Sequence, residues 1–79
     1  MIAHLKKVSA DDTIIIYVYS YEQGPMDGLI KIDLPKGLAD VTPAQGDERG
    51  MYAAKLAVGK IMSWNEEKKL PDKYTICTG

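Results

Sequence analysis

Residues Thr13 to Glu22, TIIIYVYSYE, constrain this chain more than any other stretch. They are almost wholly β-branched or aromatic, the residue types that fit a pleated, half-buried surface, so they predict a strand. Successive side chains of a strand point to opposite faces. Ile15, Tyr17, Tyr19 and Tyr21 therefore share one face, and Ile14, Ile16 and Val18 share the other. Both faces are apolar, and both call for cover.

The neighbouring segments supply partners for this strand. Gln23-Gly24-Pro25-Met26-Asp27-Gly28 is a loop whose glycines and proline force a reversal, and Leu29 to Leu34 (LIKIDL) returns antiparallel. In that returning strand Ile30, Ile32 and Leu34 alternate with Lys31 and Asp33, the pattern of a sheet buried on one side. Ile2 to Val8 forms an earlier strand, closed by Ser9-Ala10-Asp11-Asp12, whose short polar side chains bond their own backbone. The first half thus reads as a three-stranded antiparallel meander.

Pro35, Gly37 and Pro43 make the stretch from Pro35 to Gln45 an irregular connection inside the domain. The period then changes. From Asp47 to Leu70, Met51, Ala54, Val58, Ile61 and Met62 recur at three-and-four spacing, which predicts an amphipathic helix. Asp47 and Glu48 are expected at its positive dipole end and Lys68 and Lys69 at its negative end, with Pro71 blocking continuation. Ala53, Ala54, Ala57 and Gly59 leave the helix surface thin enough for close approach to a sheet. Lys73 to Thr78 is a short final strand. The expected fold is α+β, in the order βββαβ, with the helix packed on one sheet face and residues 1–79 forming a single domain.

Several classes of function are disfavoured by composition. Ten basic residues against eleven acidic ones give a net charge of −1, so no general positive field draws the chain to phosphate backbones. Nucleic acid is disfavoured as a partner. No apolar run approaches the ~20 residues a bilayer helix needs, and the first residues lack a signal-peptide pattern. A lone cysteine, Cys77, precludes an internal disulfide and fits a reducing compartment. The expected location is cytoplasmic.

Catalytic and ligand-binding constellations are sparse. Cys77 and the only histidine, His4, could meet on adjacent strands, but no third residue is in place to orient them. Asp11-Asp12, Asp47-Glu48 and Glu66-Glu67 are adjacent residues pointing different ways, unlike a metal-ligand set. Gly59-Lys60 lacks the upstream glycine and following Ser or Thr of a phosphate-binding loop. No catalytic residue, metal or cofactor is expected, and Trp64 is expected at the core edge or as an interface anchor.

One helix can cover only one face of a sheet. The expectation is that Ile14, Ile16 and Val18 lie under the helix while Ile15, Tyr17, Tyr19 and Tyr21 form an interface with another chain, most simply a homodimer. An alternative use of the tyrosine face is stacking single-stranded nucleic acid or a nucleotide, with Lys6, Lys7 and Lys31 meeting phosphates.

The segment from Asp27 to Asp72 resembles the HicB-like antitoxin domain. The matching features are a hairpin strand running into Asp33-Leu34-Pro35-Lys36-Gly37, Gly46-Asp47 ahead of the helix, Ala53, Ala54 and Ala57 within it, and a charged helix end leading to Leu70-Pro71. The resemblance implies a partial ribonuclease H-like fold without catalytic carboxylates. It also implies an oligomer that binds and blocks a small toxin-like protein. The matching residues do not include the C-terminal segment by which antitoxins of this kind bind operator DNA, so operator binding is not carried over.

Overall fold

The computed structural model describes residues 1–78. Its elements, in chain order, are β1 (Ile2–Ala10), β2 (Ile14–Tyr21), β3 (Gly28–Asp33), β4 (Leu38–Thr42), α1 (Tyr52–Glu66) and β5 (Lys73–Cys77). The strands form one antiparallel sheet in the order β4-β3-β2-β1-β5. The α+β class and the helix on one face are as expected. However, the meander has four strands before the helix, so the order is ββββαβ.

The added strand, β4, lies within the connection expected to be irregular. Leu34 to Gly37 closes a tight turn, with Gly37 N–H donating to the Leu34 carbonyl at 3.2 Å and Lys36 N–H to Asp33 Oδ1 at 3.2 Å. The turn returns the chain along β3, pairing Asp33 with Leu38 and Leu29 with Thr42. Pro35 and Gly37 thus mark a hairpin turn, not an irregular linker. From β4 the chain crosses the sheet through α1 and adds β5 at the opposite edge.

The β1–β2 turn is held as the sequence predicts. Asp11 Oδ1 accepts the N–H groups of Thr13 at 2.7 Å and Ile14 at 2.8 Å. Those bonds, Ile14's first, hold the Asp11 carboxyl below its ordinary range because they favour the charged form. Val8 is the extra residue of a bulge between Lys7 and Ser9.

The helix is shorter than its periodicity suggests and begins differently. Residue Met51 takes a left-handed conformation (φ 48°, ψ 44°), and no acidic residue occupies the first turn. Asp47 is nevertheless the cap. From upstream of the helix it folds back, Oδ1 accepting Ala53 N–H and Oδ2 accepting Ala54 N–H, both at 3.1 Å. These are among the first N–H groups of a helix, which have no partner within it. At the far end Lys68 turns left-handed (φ 57°), and Lys69 N–H returns to the Trp64 carbonyl at 2.9 Å. Lys68 and Lys69 therefore lie beyond the helix, which stops before Pro71 is reached.

The core lies between α1 and the inner face of the sheet. Ala3 and Leu5 of β1, Ile15, Tyr17 and Tyr19 of β2, Ile30 and Ile32 of β3 and Ile76 of β5 face Ala53, Ala54, Ala57 and Ile61 of the helix. Three alanines set the helix close to the sheet. Gly59 takes no part, being exposed, with open space where its side chain would be.

Candidate functional site

Ile15, Tyr17 and Tyr19 are fully buried beneath the helix, and Tyr21 is half-buried against the same core. This corrects the expected interface: those residues are the interior, and Ile14, Ile16 and Val18 lie on the open face. A single helix does leave one face uncovered, but it covers the aromatic one. The physical reason lies in volume and hydrogen bonding. The small side chains Ala53, Ala54 and Ala57 leave depth that an aromatic ring fills, and the fold supplies partners for the hydroxyls.

Tyr19 shows how complete that accommodation is. Its hydroxyl donates to Asp47 Oδ2 at 2.6 Å and accepts Ala44 N–H at 3.0 Å. Because Asp47 also receives the two helix N–H groups, one buried carboxylate ties β2, the loop before the helix and the helix start together. Cross-strand from Tyr19 stands Gly28, where a Cβ would run into the Tyr19 ring. Glycine here is a space requirement. Gly46 meets a similar demand beside Tyr21, with a φ of 97° and room for no Cβ, which would stand 2.9 Å from the ring.

Tyr17 donates its hydroxyl to the Pro71 carbonyl at 2.5 Å. Burial, and secondarily the charge of Asp72, pushes its pKa up to about 12. Tyr19 is raised further, first by burial and then by its bond to Asp47. Both are held as neutral phenols, which suits packing and not proton transfer at neutral pH.

The tyrosine face is thus closed to a nucleobase. Lys6 and Lys31 lie on the opposite side of the sheet, while Lys7 sits on the inner side and pairs with Asp72 at 3.1 Å. Lys6 and Lys31 do not share a face with the aromatic rings, and Lys7, which does, is engaged by Asp72. His4 and Cys77 both point to the open face, but His4 stands opposite Thr75, with Nδ1 3.0 Å from Thr75 Oγ1, and Cys77 stands opposite Ile2. Among the described residues no cluster of His, Cys, Asp and Glu could hold a metal ion, and no helix is long and apolar enough to cross a membrane.

The open face becomes the candidate surface. Strand register sets Thr42, Leu29, Val18, Lys6 and Lys73 in one row across the sheet and Asp40, Lys31 and Ile16 in the next. Leu38, Asp33 and Ile14 form a third row. Ile14, Ile16 and Val18 make a half-buried aliphatic stripe along the middle. Beside it Leu29 is 40% exposed and Leu38 63% exposed. Lys6, Lys31, Lys73, Asp33 and Asp40 supply a charged surround. Met26, from the β2–β3 loop, shares a shallow depression with His4, Lys6, Lys73 and Thr75 at one end.

Trp64 occupies the core edge and packs edge-on against Tyr74 of β5, with centroids 4.8 Å apart, while Lys60 Nζ lies 5.2 Å from the Tyr74 ring centre. No protein-family model, curated protein or solved structure matches this chain.

What sequence reasoning missed was the role of Asp47. The signal was present as Gly46-Asp47 ahead of an alanine-rich helix, but a carboxylate that caps from this far upstream needs the intervening turn at Glu48 to Met51.

Proposed function

We propose that this chain is a non-catalytic interaction domain that pairs with a second copy of itself across the open face of its sheet. The observation that carries the proposal is the stripe of Ile14, Ile16 and Val18, with Leu29 beside it, left uncovered by α1. An apolar centre with a charged surround is the arrangement of a stable interface, and a two-fold pairing needs only one patch complementary to itself. Two such faces stack about 10 Å apart with their side chains interleaved. Small size adds to the case, since a domain of 79 residues buries a modest share of its surface and gains from further burial.

The resemblance to HicB-like antitoxins extends this proposal to a small toxin-like protein as a further partner. In this chain the residues behind the resemblance also have structural work: Leu34-Pro35-Lys36-Gly37 turns β3 into β4, Asp47 caps the helix, and Ala53, Ala54 and Ala57 seat the tyrosines. The single cysteine fits a reducing compartment, and the cytoplasm is the proposed site of action.

Sedimentation tests the pairing. The protein should sediment as a dimer at micromolar concentration, and Ile16→Asp should give a folded monomer. A wild-type protein that is monomeric at that concentration removes the proposal.

A further inference from the structure

The two edges of the sheet are finished differently on the helix side. At β5 the space beneath the helix is filled by Tyr74 and Trp64, ring against ring. At β4 the inward side chains are Ala39 and Val41, and they face Ala54 and Val58 across a groove of about 260 Å³. Lys55 and Met51 complete its walls. Small residues on both sides leave the gap, and its lining is apolar apart from Lys55.

That groove runs beside an unpaired edge. Strand β4 bonds β3 on one side only, and none of its residues enters a further hydrogen bond among the described residues. Its backbone donors and acceptors on the outer side are a template for another strand. A small apolar molecule would fill the groove and leave those groups unmet. An extended peptide satisfies both at once, through main-chain bonds to β4 and alternate side chains into the groove.

We infer that the β4 edge takes an extended segment of a partner protein as an added strand. Its apolar side chains at alternate positions enter the groove, and a carboxylate on it meets Lys55. Charge selects this occupant over a second copy of the chain. Antiparallel self-pairing centred on β4 sets Asp40 opposite Asp40, and the inward side chains of the second β4, Ala39 and Val41, bring no carboxylate to Lys55. Like charges directly opposite on paired strands are destabilising. A partner strand of another sequence removes the conflict and brings Lys55 its carboxylate. This site is separate from the open face, and neither depends on the other.

The test is a titration of isotope-labelled protein with a capped peptide of alternating valine and threonine carrying one glutamate. Amide shifts and slowed hydrogen exchange should centre on Leu38 to Thr42, with methyl shifts at Val41 and Val58. Lys55→Glu, at an exposed position that leaves the core intact, should weaken binding about three- to tenfold, the range of a partly exposed ion pair. A peptide with lysine in place of glutamate should restore it. Shifts confined to Ile14, Ile16 and Val18, no shifts at millimolar peptide, or affinity indifferent to Lys55→Glu would each overturn the inference. So would β4 shifts that appear on concentrating the protein alone, since those would name a second copy as the occupant.

Discussion

The two faces of β2 are both built of apolar or aromatic side chains and meet opposite fates. On one side Ile14, Ile16 and Val18 are purely aliphatic and remain half-open, whereas on the other Tyr17 and Tyr19 carry hydroxyls and are enclosed completely. Greasiness alone would have put the aliphatic side inward. What decides the matter is fit: three alanines provide depth for the rings, and the Pro71 carbonyl, Ala44 N–H and Asp47 carboxylate provide partners for the hydroxyls. A buried polar group with partners costs little, whereas one without them costs about 1–3 kcal/mol.

Paired charge insertions break the comparison most directly. Tyr19→Asp should unfold the protein or cost more than about 3 kcal/mol in urea titration, because it creates a cavity and buries an acid beside Asp47. The adjacent Val18→Asp, on the open face, should leave the stability of the isolated monomer within about 1 kcal/mol. Equal losses from the two would mean that both faces are interior.

Asp47→Ala comes next in size. It strips a partner from the Tyr19 hydroxyl and from two helix N–H groups, and should cost about 2–4 kcal/mol by the same titration. A loss below about 1 kcal/mol would show that the inner face owes its cover to ring volume alone.

The smallest effect is alkaline. An unfolded tyrosine ionises near 10.0, while Tyr17 in the folded chain holds its proton to about 12. Between those values the unfolded chain has released a proton the folded chain keeps, so stability falls as pH rises through this window and is unaffected below it. The Tyr17 hydroxyl bonds the carbonyl of Pro71, a residue partly open to solvent, which limits its share to about 1–2 kcal/mol. Tyr19, raised in the same direction, adds to the loss. Tyr17→Phe should shallow the decline measured by thermal melting across that range. A decline of unchanged slope would place the alkaline sensitivity elsewhere.

Much of the architecture was legible in the residues. The strands β1, β2, β3 and β5, the α1 helix and the need to leave one sheet face bare all follow from side-chain period and from the presence of a single helix. β4 was not legible, because Leu38–Thr42 has weak alternation, lies between Gly37 and Pro43, and becomes a strand only by pairing with β3. Asp47 likewise reads as a helix-terminal charge until its distance from Tyr52 and its buried bond to Tyr19 are seen.

By itself, then, the sequence determined that β2 would be a strand with two apolar sides, because alternation in a run of β-branched and aromatic residues admits little else. Which side turned inward was decided by the tertiary structure. Strand register aligned Tyr17 with Ile30 and Tyr19 with Leu5, the alanine face of α1 left room for the rings, and a carboxylate distant along the chain arrived to accept a phenol. Those are relations between segments, and local pattern does not encode the register that creates them.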